Sequence, residues 1–219
     1  MDILPKLGRG HLQDMFVYKV SLSFKIYFFT KVVSFRIGEK MVDYFTLLKK
    51  VLLKPNITYH TGTDEMWKEF ENKEGIIFPQ DYKEIINYYG TGGIGKFLWF
   101  LTPFETDENV NYIYKMKVMS DAYRHSKLKF PEDFKHNIFP ENKGLLPWGF
   151  TDNGDELYWE TGNKFEDWKI IIYESRSSDY FEYEMSLCEF LYKLICGEII
   201  CNAFPNDIFM GIKKYTVGF

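Results

Sequence analysis

Gly144-Leu145-Leu146-Pro147-Trp148-Gly149-Phe150-Thr151-Asp152-Asn153-Gly154-Asp155-Glu156-Leu157-Tyr158-Trp159 is the stretch whose reading decides the fold. Two apolar, aromatic runs, 145–151 and 157–161, flank Asp152-Asn153-Gly154-Asp155. Asn-Gly between apolar runs predicts a β-hairpin, because both residues tolerate positive φ. Toward the C-terminus, Trp168 to Tyr173 and Tyr180 to Met185 supply two more short strands. Short consecutive strands favour antiparallel pairing, since a parallel pair needs a long crossover.

The strands give way to a helix at Ser186-Leu187-Cys188-Glu189, a capping box in which the Ser and Glu side chains satisfy each other's backbone donors. Met185 and Phe190 form the accompanying hydrophobic staple. Leu187, Phe190, Leu191, Leu194 and Ile195 make the core face, and Gly197 ends the helix. Toward the N-terminus, Phe45, Leu48 and Leu52 recur at helical spacing until Pro55. Thr63 caps a second helix that has Asp64 and Glu65 in its positive first turn and Trp67 and Phe70 on one face. Phe78-Pro79-Gln80-Asp81-Tyr82 opens a third, with Tyr82, Ile85, Ile86 and Tyr89 as its buried stripe and Gly90 at its end. Lys96 to Phe104 reads as a strand, and Glu108 to Tyr123 as a helix with Val110, Ile113, Tyr114 and Val118 at helical intervals.

The 219 residues, 46% hydrophobic and 19% aromatic, suffice for one domain with a full core. Residues 1–40 mix aromatic and β-branched residues with seven basic and three acidic ones. They read either as a basic membrane-surface arm or, the reading adopted, as an N-terminal extension ahead of a start at Met41, with the domain over 41–219. Of the chain's 27 basic and 31 acidic residues, 20 and 28 remain for 41–219, a balance of −8. An acidic surface repels phosphate backbones and steers basic proteins, which disfavours nucleic acid as a partner. Three cysteines, Cys188, Cys196 and Cys201, without metal-type spacing argue against a disulfide framework or a zinc site and point to a reducing, cytoplasmic setting. No apolar run is long enough for a membrane span, and no secretory leader is evident.

Candidate chemistry is sparse. His11, His60, His125 and His136 lie in no nucleophile motif and read as solvated; Cys188 and Cys196 read as structural thiols of an amphipathic helix. Gly90-Thr91-Gly92-Gly93-Ile94-Gly95-Lys96 lacks the spacing, the following Ser or Thr and the strand-to-helix order of a phosphate loop, so it reads as a flexible connector. Asp152 to Glu156 lacks calcium-loop spacing. The pair Asp155 and Glu160 could serve glycoside hydrolysis only at a defined separation that a sequence does not reveal. No cofactor or metal is expected, and no catalysis. The informative feature is the density of acids from Asp152 to Glu184 among Tyr158, Trp159, Trp168, Tyr173 and Tyr180. With the aromatics inward and the acids outward, it predicts a negative face for a basic protein.

Three segments carry a family resemblance. Phe78-Pro79-Gln80-Asp81-Tyr82-Lys83-Glu84 with Tyr88-Tyr89-Gly90-Thr91-Gly92-Gly93 is similar to a Leu-Pro-x-Asp-Tyr-Lys helix and glycine loop, Phe78 standing in the leucine position. Residues 144–159 are similar to its central strand-turn-strand, and Trp168 to Tyr173 followed by Met185 to Leu191 and Gly197 to its closing strand and helix. From about Glu65 to Gly197 the chain resembles the SUKH superfamily, the Smi/Knr-type immunity proteins. The resemblance implies an α+β fold, a curved, mostly antiparallel sheet with packed helices in a single domain. It also implies a cytosolic protein that binds and neutralises a delivered bacterial toxin, often a nuclease, with no catalytic residues to carry over. Relatives in eukaryotic cell-wall regulation imply an alternative, an intracellular scaffold with a non-toxin partner. On this reading Asp152, Asp155, Glu156 and Glu160 are the charged contacts to a basic toxin surface, Tyr180 and Glu182 stand at their edge, and the Gly90 to Gly95 loop helps to cover the toxin.

Overall fold

The computed structural model describes residues 42–209, 211 and 214–218. The readings placed on residues 1–40 lie outside them. In chain order the described residues form α1 (Tyr44–Val51), α2 (Asp64–Glu74), α3 (Gln80–Tyr89), β1 (Gly92–Ile94), β2 (Leu98–Phe100), α4 (Tyr112–Lys129), β3 (Asn137–Ile138), β4 (Gly144–Thr151), β5 (Glu156–Glu160), β6 (Lys169–Tyr173), β7 (Tyr180–Tyr183), α5 (Leu187–Cys196) and β8 (Tyr215–Val217). The fold is α+β. One open sheet runs β7-β6-β5-β4-β2-β1-β8, antiparallel throughout except that short β3 pairs parallel to β4.

Strand alternation divides the sheet into two covered faces. Trp159 of β5 meets Tyr82 of α3 edge-on at 5.2 Å, and Tyr183 of β7 meets Phe190 of α5 at 4.9 Å, so α3 and α5 pack on one face. Tyr158, the next side chain along β5, turns the other way, toward Tyr123 of α4 at 6.4 Å. Buried polar ends find backbone partners, as groups out of reach of water must. Tyr82 donates to Leu101 O at 2.5 Å, Tyr89 to Leu52 O at 2.7 Å, Tyr112 to Pro147 O at 2.9 Å and Trp148 Nε1 to Tyr158 O at 3.0 Å. Asp81 ties α3 to the start of α5 by accepting from Cys188 N at 3.0 Å; burial raises its pKa, partly offset by those backbone donors.

Local signals fare unevenly. Thr63 caps α2 by accepting from Met66 N, and Tyr82, Ile85, Ile86 and Tyr89 are the buried residues of α3. Half of the capping box forms at α5: Ser186 Oγ accepts from Glu189 N at 3.3 Å, but the Glu189 carboxylate is held instead by Lys193 at 2.6 Å, one turn on. The helix predicted over Glu108 to Tyr123 begins at Tyr112 and runs to Lys129, because Asn111 supplies the cap, accepting from Tyr114 N at 3.0 Å. That start changes the face: Tyr112, Met119, Ser120 and Tyr123 are buried, while Tyr114 and Val118 are exposed.

Two corrections concern glycine. The segment read as a flexible connector contains β1, hydrogen-bonded between β2 and β8, and Thr91 to Ile94 are buried. Gly93 is required because a Cβ there would run into the Leu98 carbonyl oxygen, and one at Gly92 into that of Thr216. In the hairpin only Gly154 has positive φ (89°), so the β4-to-β5 connection is a four-residue link and not a two-residue Asn-Gly turn. β4 also carries an irregularity: Pro147 faces Tyr158 and Gly149 faces the next residue, Leu157, leaving Trp148 as the extra residue of a bulge.

Candidate binding surface

The link between β4 and β5 is held from within. Asp155 is 1% exposed. Its carboxylate accepts from Thr151 Oγ1 at 2.6 Å and from Ser175 N at 2.9 Å, and its own amide donates to Thr151 Oγ1 at 3.0 Å. One side chain thus closes the hairpin and fastens it to the segment after β6. The expectation that Asp155 is a charged contact is corrected: a carboxylate short enough to fold back on its own turn satisfies the turn's donors. Asp152 is exposed and accepts from Trp99 Nε1 at 2.6 Å, which fixes its carboxylate beside the end of β2. The Gly90 to Gly95 segment is likewise corrected as a covering loop, since most of it is buried sheet.

The other expected contacts share a face because pairing and alternation align them. Across β5, β6 and β7, Glu156 lies opposite Tyr173 and Tyr173 opposite Tyr180; Tyr158 lies opposite Ile171 and Ile171 opposite Glu182; Glu160 lies opposite Lys169. β7 ends the sheet. Tyr180 is 39% exposed, with its ring edge-on to His136 at 4.7 Å. Glu160 is half-buried and Glu182 exposed. Lys169, whose weight was not evident in the sequence, holds Glu182 at 2.5 Å and Glu184 at 3.0 Å, and those bonds push its pKa up. The face is therefore acid, with Lys169 set into it and Lys115 of α4 over Phe150 at the Glu156 end.

At the Glu156 end lies a cleft of about 470 Å³, bounded by α4, the segment after it and the chain from Glu174 to Ser178. Glu156 accepts from Tyr158 Oη at 2.7 Å; burial raises its pKa, with the Tyr158 bond and Lys115 acting against the rise. Tyr123 and Tyr173 form the floor, their hydroxyls 3.0 Å apart, and Tyr173 Oη lies 2.7 Å from His136 Nδ1. His136 is not a solvated residue: burial lowers its pKa, while Glu160 and Glu182 work against that and Lys127 with it. His60 is paired too, its Nδ1 2.5 Å from Glu105 Oε2. What escaped the sequence reading is that Tyr123, His136, Tyr173 and the Glu174 to Ser178 segment meet at a cleft: His136 reads as solvated, Tyr173 as one inward aromatic among several, and only the polar run Glu174-Ser175-Arg176-Ser177-Ser178-Asp179 after an isoleucine-rich strand hints at the rim.

Charge is distributed unevenly over the domain. From Asp152 to Glu184 there are ten acids against Lys164, Lys169 and Arg176, whereas α4 carries Lys115, Lys117, Arg124, Lys127 and Lys129 against Asp121. The thiols of Cys188 and Cys201 are buried, and burial raises the pKa of both, which works against thiolate formation. Among the described residues no group of three or more His, Cys, Asp or Glu side chains is arranged to hold a metal ion, and no helix is long and apolar enough to cross a membrane.

Residues 64–191 match the family model SUKH_6, described as SMI1-KNR4 cell-wall. No curated protein and no solved structure matches the chain.

Proposed function

This chain belongs to the SMI1-KNR4 family of the SUKH superfamily, and from that premise we propose that it is a cytoplasmic immunity protein, one that binds and neutralises a bacterial toxin, of the nuclease type, by contact alone. The observation that carries the reading is the acidic end of the sheet. Glu160 and Glu182 stand there with Tyr180, on elements pinned by the Asp155 bonds and by the packing of Tyr173 and His136, while Asp152 lies apart from them beside β2. A toxin that acts on nucleic acid presents a basic surface to its substrate, and a rigid negative face competes for it. Aromatic side chains among the acids suit such a contact, because they add area at little entropic cost.

The test uses the purified chain and the toxin domain encoded beside it. Binding that abolishes toxin activity, and that weakens together with its salt dependence when Glu160→Lys and Glu182→Lys are combined, supports the reading. Absence of binding to that toxin refutes it. The family's description refers to the cell wall, which favours a second reading, an intracellular regulatory module with a non-toxin partner. That reading expects a gene with no toxin beside it and recovery of one defined non-toxin protein on the same acidic face.

A further inference from the structure

We infer that the cleft beside Glu156 is a socket for one basic side chain, an alkylguanidinium or alkylammonium group carried by the protein partner, with Glu156 as its counter-ion. The inference rests on the binding reading for the macromolecule that carries the cation, but not for the socket itself.

The carboxylate is the first argument. Glu156 Oε2 accepts from Tyr158 Oη at 2.7 Å, and Oε1 has no protein donor among the described residues. An ionised carboxylate has room for about four hydrogen bonds, and Oε1, which keeps contact with solvent, can offer those it has not made to a group entering the cleft. A guanidinium offers paired N–H groups that a carboxylate accepts side by side. Burial already raises the Glu156 pKa, which an arriving cation would reverse.

The walls are the second. Tyr123, Phe130, Phe134 and Tyr173 line the cleft, and a cation within about 6 Å of an aromatic face is attracted by the ring's negative quadrupole. This chain shows the same preference elsewhere: Lys115 Nζ lies 4.8 Å from the Phe150 ring centre and Lys54 Nζ 4.5 Å from that of Tyr88. Phe134 stacks on Tyr173 at 5.9 Å and 12°, and the Tyr173 hydroxyl is fixed between Tyr123 and His136, so the walls stand ready before anything enters. With its pKa lowered, His136 adds no positive charge behind them at neutral pH.

Charge and size complete the case. Asp133, Glu156 and Glu174 line the cleft against one cation, the exposed Arg176, so an anionic ligand would meet an excess of carboxylates. The hydroxyls of Ser175, Ser177 and Ser178 can accept the N–H groups that Glu156 does not. A volume of about 470 Å³ falls within the range of pockets that enclose small ligand groups.

The experiment titrates the full chain with N-acetyl-argininamide and with the neutral isostere N-acetyl-citrullinamide, following the Glu156 side-chain carboxyl and the Tyr173 ring by NMR. The expected result is saturable binding of the arginine probe at about millimolar concentration, with the citrulline probe at least about tenfold weaker. Glu156→Gln keeps an acceptor for Tyr158 and is expected to lose at least about tenfold in affinity for the arginine probe. Ala122→Trp, at an exposed position on the cleft's rim, blocks entry without touching the core and gives the same loss should Glu156→Gln fail to fold. Equal binding of both probes, or wild-type affinity in either folded variant, overturns the socket. Toxin binding retained by a chain that binds neither probe counts against the socket alone; probe binding with no toxin binding counts against the immunity reading alone.

Discussion

Replacing Asp155 with alanine separates the two roles that an acid in a hairpin can have. The wild-type carboxylate is the acceptor for Thr151 Oγ1 at 2.6 Å and Ser175 N at 2.9 Å, in a site that is 1% exposed. Hydrogen bonds to a charged group contribute about 1.5–3 kcal/mol each, and truncation leaves one buried and one part-buried donor without partners, so Asp155→Ala should destabilise by about 3–5 kcal/mol. Against a typical total of about 5–15 kcal/mol, that is a large fraction. Asp155→Asn preserves volume and one carbonyl acceptor and should cost about 1–2 kcal/mol, the neutral end of the same scale. Urea unfolding followed by tryptophan fluorescence measures both, with an unchanged denaturant slope required for the comparison. A loss below about 1 kcal/mol in the alanine variant, together with loss of partner binding, would refute the reasoning and return Asp155 to the surface.

Gly93→Ala drives a methyl group into the Leu98 carbonyl oxygen between two paired strands, and should cost more than about 3 kcal/mol or prevent folding; a soluble variant with an unshifted unfolding midpoint would contradict the close approach. Burial holds the His136 imidazole below its ordinary value of 6.5, so as pH falls the unfolded chain takes up that proton first. Its contribution is complete above 6.5 and is lost as the pH drops from there through the lower folded value. His136→Phe should therefore lose less stability than wild type between pH 7.5 and pH 5.5 in denaturant titrations, whereas equal losses would show that another group dominates. Lys169→Gln removes a cation held by Glu182 and Glu184 at the surface; stability should change by no more than about 1 kcal/mol, while association with a basic partner should quicken, most at low salt. An association rate that ignores this substitution would place the contact away from β7.

How much could be read in advance follows from the range of each interaction. Tyr82, Ile85, Ile86 and Tyr89 betrayed α3 because helical periodicity is local. Ser186 and Gly197 delimited α5 for the same reason, since caps act within a few residues. The faces of β5 and β7 were foreseeable in outline, because alternation alone sorts Tyr158 from Trp159. The fate of individual acids was not. Asp152 and Asp155 differ by three positions in one turn, yet one meets solvent and the other Ser175, twenty residues on. The cleft is still less local: Tyr123, Phe134, Glu156 and Tyr173 come from four segments whose meeting depends on how α4 crosses the sheet. Gly92 and Gly93 misled because glycine serves mobile loops and crowded strands alike, and only the neighbouring Leu98 and Thr216 backbones distinguish them.

The surplus residue at Trp148 sets the phase of everything downstream in its strand. With it, Thr151 reaches the Asp155 carboxylate and Phe150 falls opposite Glu156. Straighten the strand without losing a residue, so that Trp148 takes a place in the ladder, and the parity inverts: Phe150 and Thr151 exchange sides, and the clasp between strands loses one of its jaws. Length here is consequently a quantity the fold counts, whereas the connection from Gly162 to Trp168 joins strands whose register is already set and can absorb an insertion as slack.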